Sequence, residues 1–304
     1  MLAVLAPGQG SQRPGQLLPW LSLPGVVDHL AGLSAAAGLD LLHAGTDASA
    51  EELQPTEISQ PLVVATALVA ARAAGVTDTA AVLAGHSVGE WAAVGLAGVL
   101  DEEDVLRLVA VRARAMAAAC RARSTGMAAV LGGERQEVVS RIAALGLEVA
   151  NHNGPAQIVA GGDDEALEAL AAEPPAGARV RRLPVAGAFH TAAMATAVQP
   201  LRDAVRNVRT RDPHRPLVSC LDGELVTSGD DALARLVVAV ESPVRFDLVL
   251  QRLARLGVSA AVELPPAGAL TGLARRGLAG VHVGPVDPPG QPLEAGARSA
   301  AGTG

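Results

Sequence analysis

Neither lysine nor tyrosine occurs in the 304 residues, and phenylalanine, tryptophan and cysteine appear only twice each. Every one of the 24 basic residues is therefore arginine. Without lysine the chain cannot build a Walker-type phosphate loop, whose chemistry needs an ammonium reaching the phosphates. Cys120 and Cys220 are too few for a disulfide framework, and neither stands in a C-x-x-C or Cys/His cluster, so a reducing compartment fits and no metal centre is expected. The longer apolar stretches, Pro61 to Ala74 and Ala80 to Ala84, fall short of the roughly 20 residues a membrane span requires. The segment Met1–Pro7 has no basic region ahead of its apolar run, so no export signal is read and a cytoplasmic setting is expected. A net charge of -7 argues against nucleic acid as a partner. The abundance of Ala, Gly and Arg beside these absences reads as a GC-rich coding bias rather than a functional device.

The chain does hold enough apolar material, 50% of its residues, to bury a substantial core. Residues 2–6 read as a short buried strand that enters the glycine-rich turn Gly8-Gln9-Gly10-Ser11-Gln12, followed by loop to about Thr46. A helix is expected from about Gln60 to Ala74, with Ser59 as N-cap and Pro61 in its first turn. Residues 80–84 form a strand ahead of Gly85-His86-Ser87-Val88-Gly89, and Glu90 to Leu96 reads as helix. Another helix runs from near Asp101 to about Arg121, its acidic first turn suited to the positive end of the helix dipole. Residues 127–185 then alternate as strand, helix, strand, strand, helix, strand, the βαββαβ order of a ferredoxin-like unit. The larger α/β pattern resumes with helices ending near Val208, Val240 and Leu256 and strands near Leu217–Cys220 and Ala260–Glu263. From about Pro285 the composition loses periodicity, and a disordered tail is expected over 285–304.

Gly85-x-Ser87-x-Gly89 between a strand and a helix matches a nucleophile elbow, in which small flanking residues let a sharp turn expose a serine hydroxyl. A serine needs a base, and histidine has the suitable pKa. Among the seven histidines, His29, His43, His214 and His282 stand in surface-like or featureless contexts, His152 lies within the inserted unit, and His86 adjoins the serine. His190, where the chain leaves that unit, is the best placed, although position alone leaves a purely structural histidine open. A lone helical arginine such as Arg112 would by itself be read as surface charge.

Four motifs in order, Pro7-Gly-Gln9-Gly-Ser-Gln12, Gly85-His-Ser-Val-Gly-Glu90, Arg112-Ala-Arg-Ala-Met116 and Gly187-Ala-Phe-His190, resemble those of the malonyl-CoA:acyl carrier protein transacylase family, over about residues 1–283. With the α/β pattern continuing on both sides of it, the βαββαβ unit reads as a ferredoxin-like subdomain (127–185) inserted in a large α/β-hydrolase-like domain (1–126 and 186–284). The resemblance implies Ser87 as nucleophile and His190 as base, a dyad whose imidazole is oriented by a backbone carbonyl at Ala239, where the family has glutamine. It further implies an oxyanion hole from the N–H groups of Gln9 and Val88 and a carboxylate clamp at Arg112, with Arg107 and Arg114 solvated. Phe189 and Val88 match malonyl-selective rather than methylmalonyl-selective relatives, and Asn151, Asn153 and Gln157 occupy a segment lining the cleft. Arg275 and Arg276 match a basic pair able to meet an acidic carrier protein. The implied reaction moves malonyl from malonyl-CoA to acyl carrier protein by a ping-pong route with no metal or redox cofactor, in a monomer of fatty acid or polyketide biosynthesis. Two rivals are an esterase or thioesterase, whose triad needs an acid between Ser87 and His190 where none stands out, and an inactive interaction protein that kept the fold.

Overall fold

The computed structural model describes residues 1–288. The first part of the chain forms β1 (Leu2–Ala6), α1 (Val26–Ala37), α2 (Leu41–Thr46), α3 (Thr56–Ala73), α4 (Val76–Thr79), β2 (Val82–Gly85), α5 (Gly89–Leu96) and α6 (Glu102–Ala122). A smaller unit follows, with β3 (Thr125–Gly132), α7 (Arg135–Ala144), β4 (Glu148–Gly154), β5 (Gln157–Asp163), α8 (Asp164–Ala172) and β6 (Ala178–Arg182). The chain then returns through α9 (Ala195–Val205), β7 (Leu217–Val218), α10 (Gly229–Val238), α11 (Phe246–Arg255), β8 (Ala260–Glu263), α12 (Ala269–Gly277) and β9 (His282–Pro285).

The large sheet is parallel throughout, in the order β7-β2-β1-β8-β9. Side chains on β1 alternate between two buried clusters: Val4 and Ala6 face the core built with α3, α5 and α6, while Ala3 and Leu5 face α11 and α12. A strand buried on both faces reads as one continuous apolar run, and this explains the unpatterned Leu-Ala-Val-Leu-Ala. The small sheet is antiparallel in the order β4-β5-β3-β6, the ferredoxin-like arrangement, with α7 and α8 on one face. Its other face presents Met127, Ala129 and Val159 to the core of the large domain. The two units are also joined by main chain, since His152 N–H donates to Val244 O (2.8 Å) and Val244 N–H to Ala150 O (2.9 Å).

Several expectations are corrected. The stretch read as loop up to Thr46 holds α1 and α2; Val26, Leu30, Leu33 and Ala37 fall on one buried stripe at helical spacing, a period masked by intervening glycine and alanine. The central helix α3 begins at Thr56 rather than near Gln60, so Ser59 is a fully buried helical residue and not its cap. Pro61 lies at its sixth position, where its lost hydrogen bond is outweighed by a helix buried nearly all round. His29, read as surface-like, pairs with Glu102 and has a side chain only 8% exposed. Strand β6 ends at Arg182 rather than Val185, with one last bond from Leu183 N–H to Met127 O. Helix α12 and strand β9 went unread; β9 includes Pro285, and Val286 N–H donates to Glu263 O, so the expected tail starts later than 285. The remainder of that tail, 289–304, lies outside the described residues.

Candidate active site

Strands β1 and β2 are parallel neighbours paired as Ala6↔Gly85, so the loops at their carboxyl ends, Pro7–Gln12 and His86–Val88, emerge side by side. Ser87 sits between them with φ 55°, a left-handed conformation uncommon for a residue with a side chain. Two glycines permit this turn. A Cβ at Gly85 would lie 2.2 Å from Glu90 N, and one at Gly89 2.2 Å from Ala6 O. His190, the other non-glycine residue with positive φ (62°) among those described, arrives from β6 on the opposite side.

Ser87 Oγ lies 2.6 Å from His190 Nε2, and His190 Nδ1 lies 2.7 Å from the carbonyl oxygen of Ala239. A carbonyl only accepts, so Nδ1 carries the proton and Nε2 presents its lone pair to the serine hydroxyl. Ala239 caps the C-terminus of α10, where carbonyls lack helical partners and the dipole is negative. The same contact that fixes the tautomer therefore favours the imidazolium formed when Nε2 takes a proton. The alanine in place of the family's glutamine costs nothing here, because the acceptor is main chain. Burial and the Arg112 charge push the His190 pKa down to about 3, so the imidazole is neutral at physiological pH. Among the described residues no carboxylate hydrogen-bonds to His190.

Arg112 falls on the buried stripe of α6 with Val105, Leu108, Val109 and Met116. Only 2% exposed, it donates from Nη1 to Gln60 Oε1 (2.6 Å) and from Nη2 to Ser87 Oγ (3.3 Å), and among the described residues Nε has no partner. Burial lowers its pKa to about 10, which leaves it cationic at neutral pH. A buried guanidinium with a spare donor next to the Ser87 hydroxyl has the chemistry to pair with a carboxylate. Arg107 and Arg114 on the same helix are exposed, and Arg107 pairs with Asp104.

A cavity of about 340 Å³ opens onto Ser87 and His190, between the two units. Phe189, Asn151, Asn153 and Gln157 line it, as do Met127 and Val159 of the small sheet and Ala269, Leu270 and Leu273 of α12. Asn153 Oδ1 accepts from His86 Nε2 (2.9 Å), and the His86 ring meets Phe246 edge-on, so the elbow is tied to β4 across the cleft. Gln9 contributes to the wall, and among the described residues neither its N–H nor that of Val88 is taken by a protein acceptor. Arg275 and Arg276 are exposed on the last turn of α12, away from the cavity its first turns line. Arg275 donates twice to Val283 O, which fastens α12 to β9. Sequence reasoning missed Gln60, 1% exposed and hydrogen-bonded to Arg112; a glutamine in a helix apolar on every side was its only signal. Among the described residues, no three His, Cys, Asp or Glu side chains gather as metal ligands, and no helix is long and apolar enough to cross a membrane.

The family model for the acyl transferase domain matches residues 5–287. The malonyl CoA-acyl carrier protein transacylase of Mycobacterium tuberculosis is 50% identical over 293 residues, covering 95% of this chain and 97% of that protein. A crystal structure described as MCAT from Mycobacterium tuberculosis superposes with a TM-score of 0.92 at 49% identity, over 95% of this chain and 97% of the other. A type II PKS acyl-carrier protein in complex with its malonyl-transacylase includes a chain that superposes at 0.87 with 28% identity, over 94% and 96%.

Proposed function

The chain belongs to the acyl transferase domain family, and from that premise we propose that it transfers malonyl from malonyl-CoA to the phosphopantetheine thiol of an acyl carrier protein, through a malonyl ester on Ser87. One observation carries the reading: the hydroxyl of Ser87 lies between a neutral imidazole at 2.6 Å and a buried guanidinium at 3.3 Å. The base that activates the nucleophile and the partner for a malonyl carboxylate thus meet at one oxygen.

In this mechanism His190 Nε2 takes the hydroxyl proton as Ser87 Oγ attacks the thioester carbonyl. The developing oxyanion is held by the N–H groups of Val88 and Gln9, and each such donor contributes about 3 kcal/mol to lowering the barrier. The imidazolium returns its proton to the departing CoA sulfur. In the second half-reaction the carrier thiol gives its proton to His190, attacks the serine ester, and Ser87 leaves with that proton. Both halves balance without metal or redox cofactor. Arg112 holds the malonyl carboxylate, and acetyl, which would leave the guanidinium unpaired, is disfavoured. Phe189, Asn151 and Asn153 bound the acyl and pantetheine space, and the exposed Arg275–Arg276 turn is where an acidic carrier docks. The chain acts as a cytoplasmic monomer in fatty acid or polyketide synthesis.

The test is intact-protein mass after brief incubation with malonyl-, acetyl- or methylmalonyl-CoA, followed by addition of a holo carrier protein. A malonyl adduct that requires Ser87 and passes to the carrier is expected. Free malonate accumulating in place of malonyl-carrier would establish a hydrolase instead, and no adduct at all would leave an inactive protein of the same fold.

A further inference from the structure

Behind Ser87 the hydrogen bonds form a chain whose direction is fixed by chemistry. Arginine has no acceptor, so Gln60 must turn Oε1 toward Arg112 Nη1, at 2.6 Å. Its Nε2 then faces Gln9 and donates to Oε1 at 3.1 Å. The amide nitrogen of Gln9 in turn donates to Thr56 Oγ1 at 3.3 Å. Every donor points away from the guanidinium, an arrangement in which each bond polarises the next. Gln60 and Thr56 are each 1% exposed, so water does not compete for these groups. The chain starts at the cation proposed to read the acyl carboxylate, passes through Gln9, whose main-chain N–H is proposed to hold the oxyanion, and ends at Thr56 on α3.

We propose that Gln60 is a specificity-determining positioning residue that couples carboxylate binding at Arg112 to the placement of Gln9 in the oxyanion hole. This rests on the transacylase reading above. Among the described residues the guanidinium Nε–H has no acceptor, and only Gln60 and Ser87 Oγ restrain the group. A malonyl carboxylate fills the Nε and Nη2 edge and fixes the guanidinium plane. Nη1 then holds Gln60, and through it the Gln9 loop, in one position. Acetyl makes no such contact, and a ligand biases an arrangement only through contacts made in one state and not the other. Malonyl is thereby favoured in the rate of ester formation as well as in binding.

Single-turnover loading of malonyl and acetyl would be measured on wild type, Gln60→Met, Gln9→Ala and the double variant. Gln60→Met keeps the length of the side chain and cuts its bonds to Arg112 and Gln9; Gln9→Ala keeps the main-chain N–H and removes the link. The ratio of malonyl to acetyl loading rates at saturation is expected to fall about tenfold in each single variant and no further in the double, since both cut one chain. Equal losses for the two acyl groups, or losses that multiply in the double variant, would overturn the coupling and reduce Gln60 to core filling. Should Gln60→Met fail to fold, Gln9→Ala, at a half-buried loop position, still reports the ratio. Wild type that forms no malonyl adduct would overturn the transacylase reading itself, an outcome distinct from an unchanged ratio.

Discussion

Replacing Arg112 by methionine separates two effects that the site combines. In the folded protein the guanidinium is 2% exposed, and among the described residues it hydrogen-bonds only to Gln60 and Ser87 and its Nε has no partner. Removing such a charge relieves a desolvation cost of several kcal/mol. Methionine fills similar length but strands Gln60 Oε1 in the core, at a cost of about 1–3 kcal/mol. These terms oppose each other, so folding stability is expected to change by less than about 2 kcal/mol in either direction, measured by urea denaturation. Malonyl loading behaves otherwise. A malonyl carboxylate entering a site without its cation resembles a buried ion pair broken on one side, which costs about 3–5 kcal/mol. At about 1.4 kcal/mol per factor of ten this slows Ser87 malonylation by roughly a hundredfold to a few thousandfold. Acetyl has no carboxylate to lose, and its loading should stay within about tenfold of wild type. Quenched intact-mass time courses with the two thioesters read both rates. Malonyl loading within tenfold of wild type would refute the clamp, and a stability loss above about 4 kcal/mol with both acyl groups affected alike would make Arg112 part of the framework.

Gly89→Ala places a Cβ 2.2 Å from Ala6 O and 2.4 Å from Pro7 O, so the elbow must shift against β1; a loss of about 3 kcal/mol in denaturant melts and of acyl-serine formation is expected. Glu263, fully buried, accepts from the N–H groups of Gly268, Leu270 and Thr271 and from Thr271 Oγ1, and Glu263→Ala should destabilise the protein by at least about 2 kcal/mol by stranding these donors at the start of α12. Because the His190 pKa is depressed to about 3 in the folded state and stands near 6.5 when unfolded, the unfolded chain takes up the proton first as pH falls. The contribution of neutral His190 is complete above about pH 6.5 and is lost toward pH 3, at up to about 1.4 kcal/mol per pH unit; urea melts should show a shallower acid slope in His190→Ala. Since the Arg112 charge helps hold that pKa down, a bound carboxylate should raise it, and the acid limb of kcat is expected at higher pH than that of kcat/KM.

Chemistry that depends on consecutive residues was legible in the sequence. The spacing Gly85-x-Ser87-x-Gly89 after an apolar run dictates a sharp turn with an exposed hydroxyl, and the structure places Ser87 there with φ 55°. The βαββαβ order of the smaller unit and the helical span that carries Arg112 were equally readable, because periodicity is local. Less could be read where burial comes from distant parts of the chain. Helix α3 starts at Thr56, four residues before the start that Ser59 as cap and a first-turn Pro61 suggested, and those residues are buried inside the helix instead.

What the sequence by itself determined is a candidate serine nucleophile and the strand-to-helix turn that presents it, since both follow from side-chain chemistry and local sterics. Only the tertiary structure decided their electrostatic state. His190 acquires its tautomer from the Ala239 carbonyl, 49 residues away, an acceptor that the resemblance implied but that no side chain of this sequence marks. Its neutrality comes from burial beside Arg112, and the unfilled donor of Arg112 exists because α6 is packed against α3 and brings Gln60 to one edge of the guanidinium. Desolvation and the direction of hydrogen bonds are properties of an enclosed volume, and that volume forms only when the two sheets close on one another.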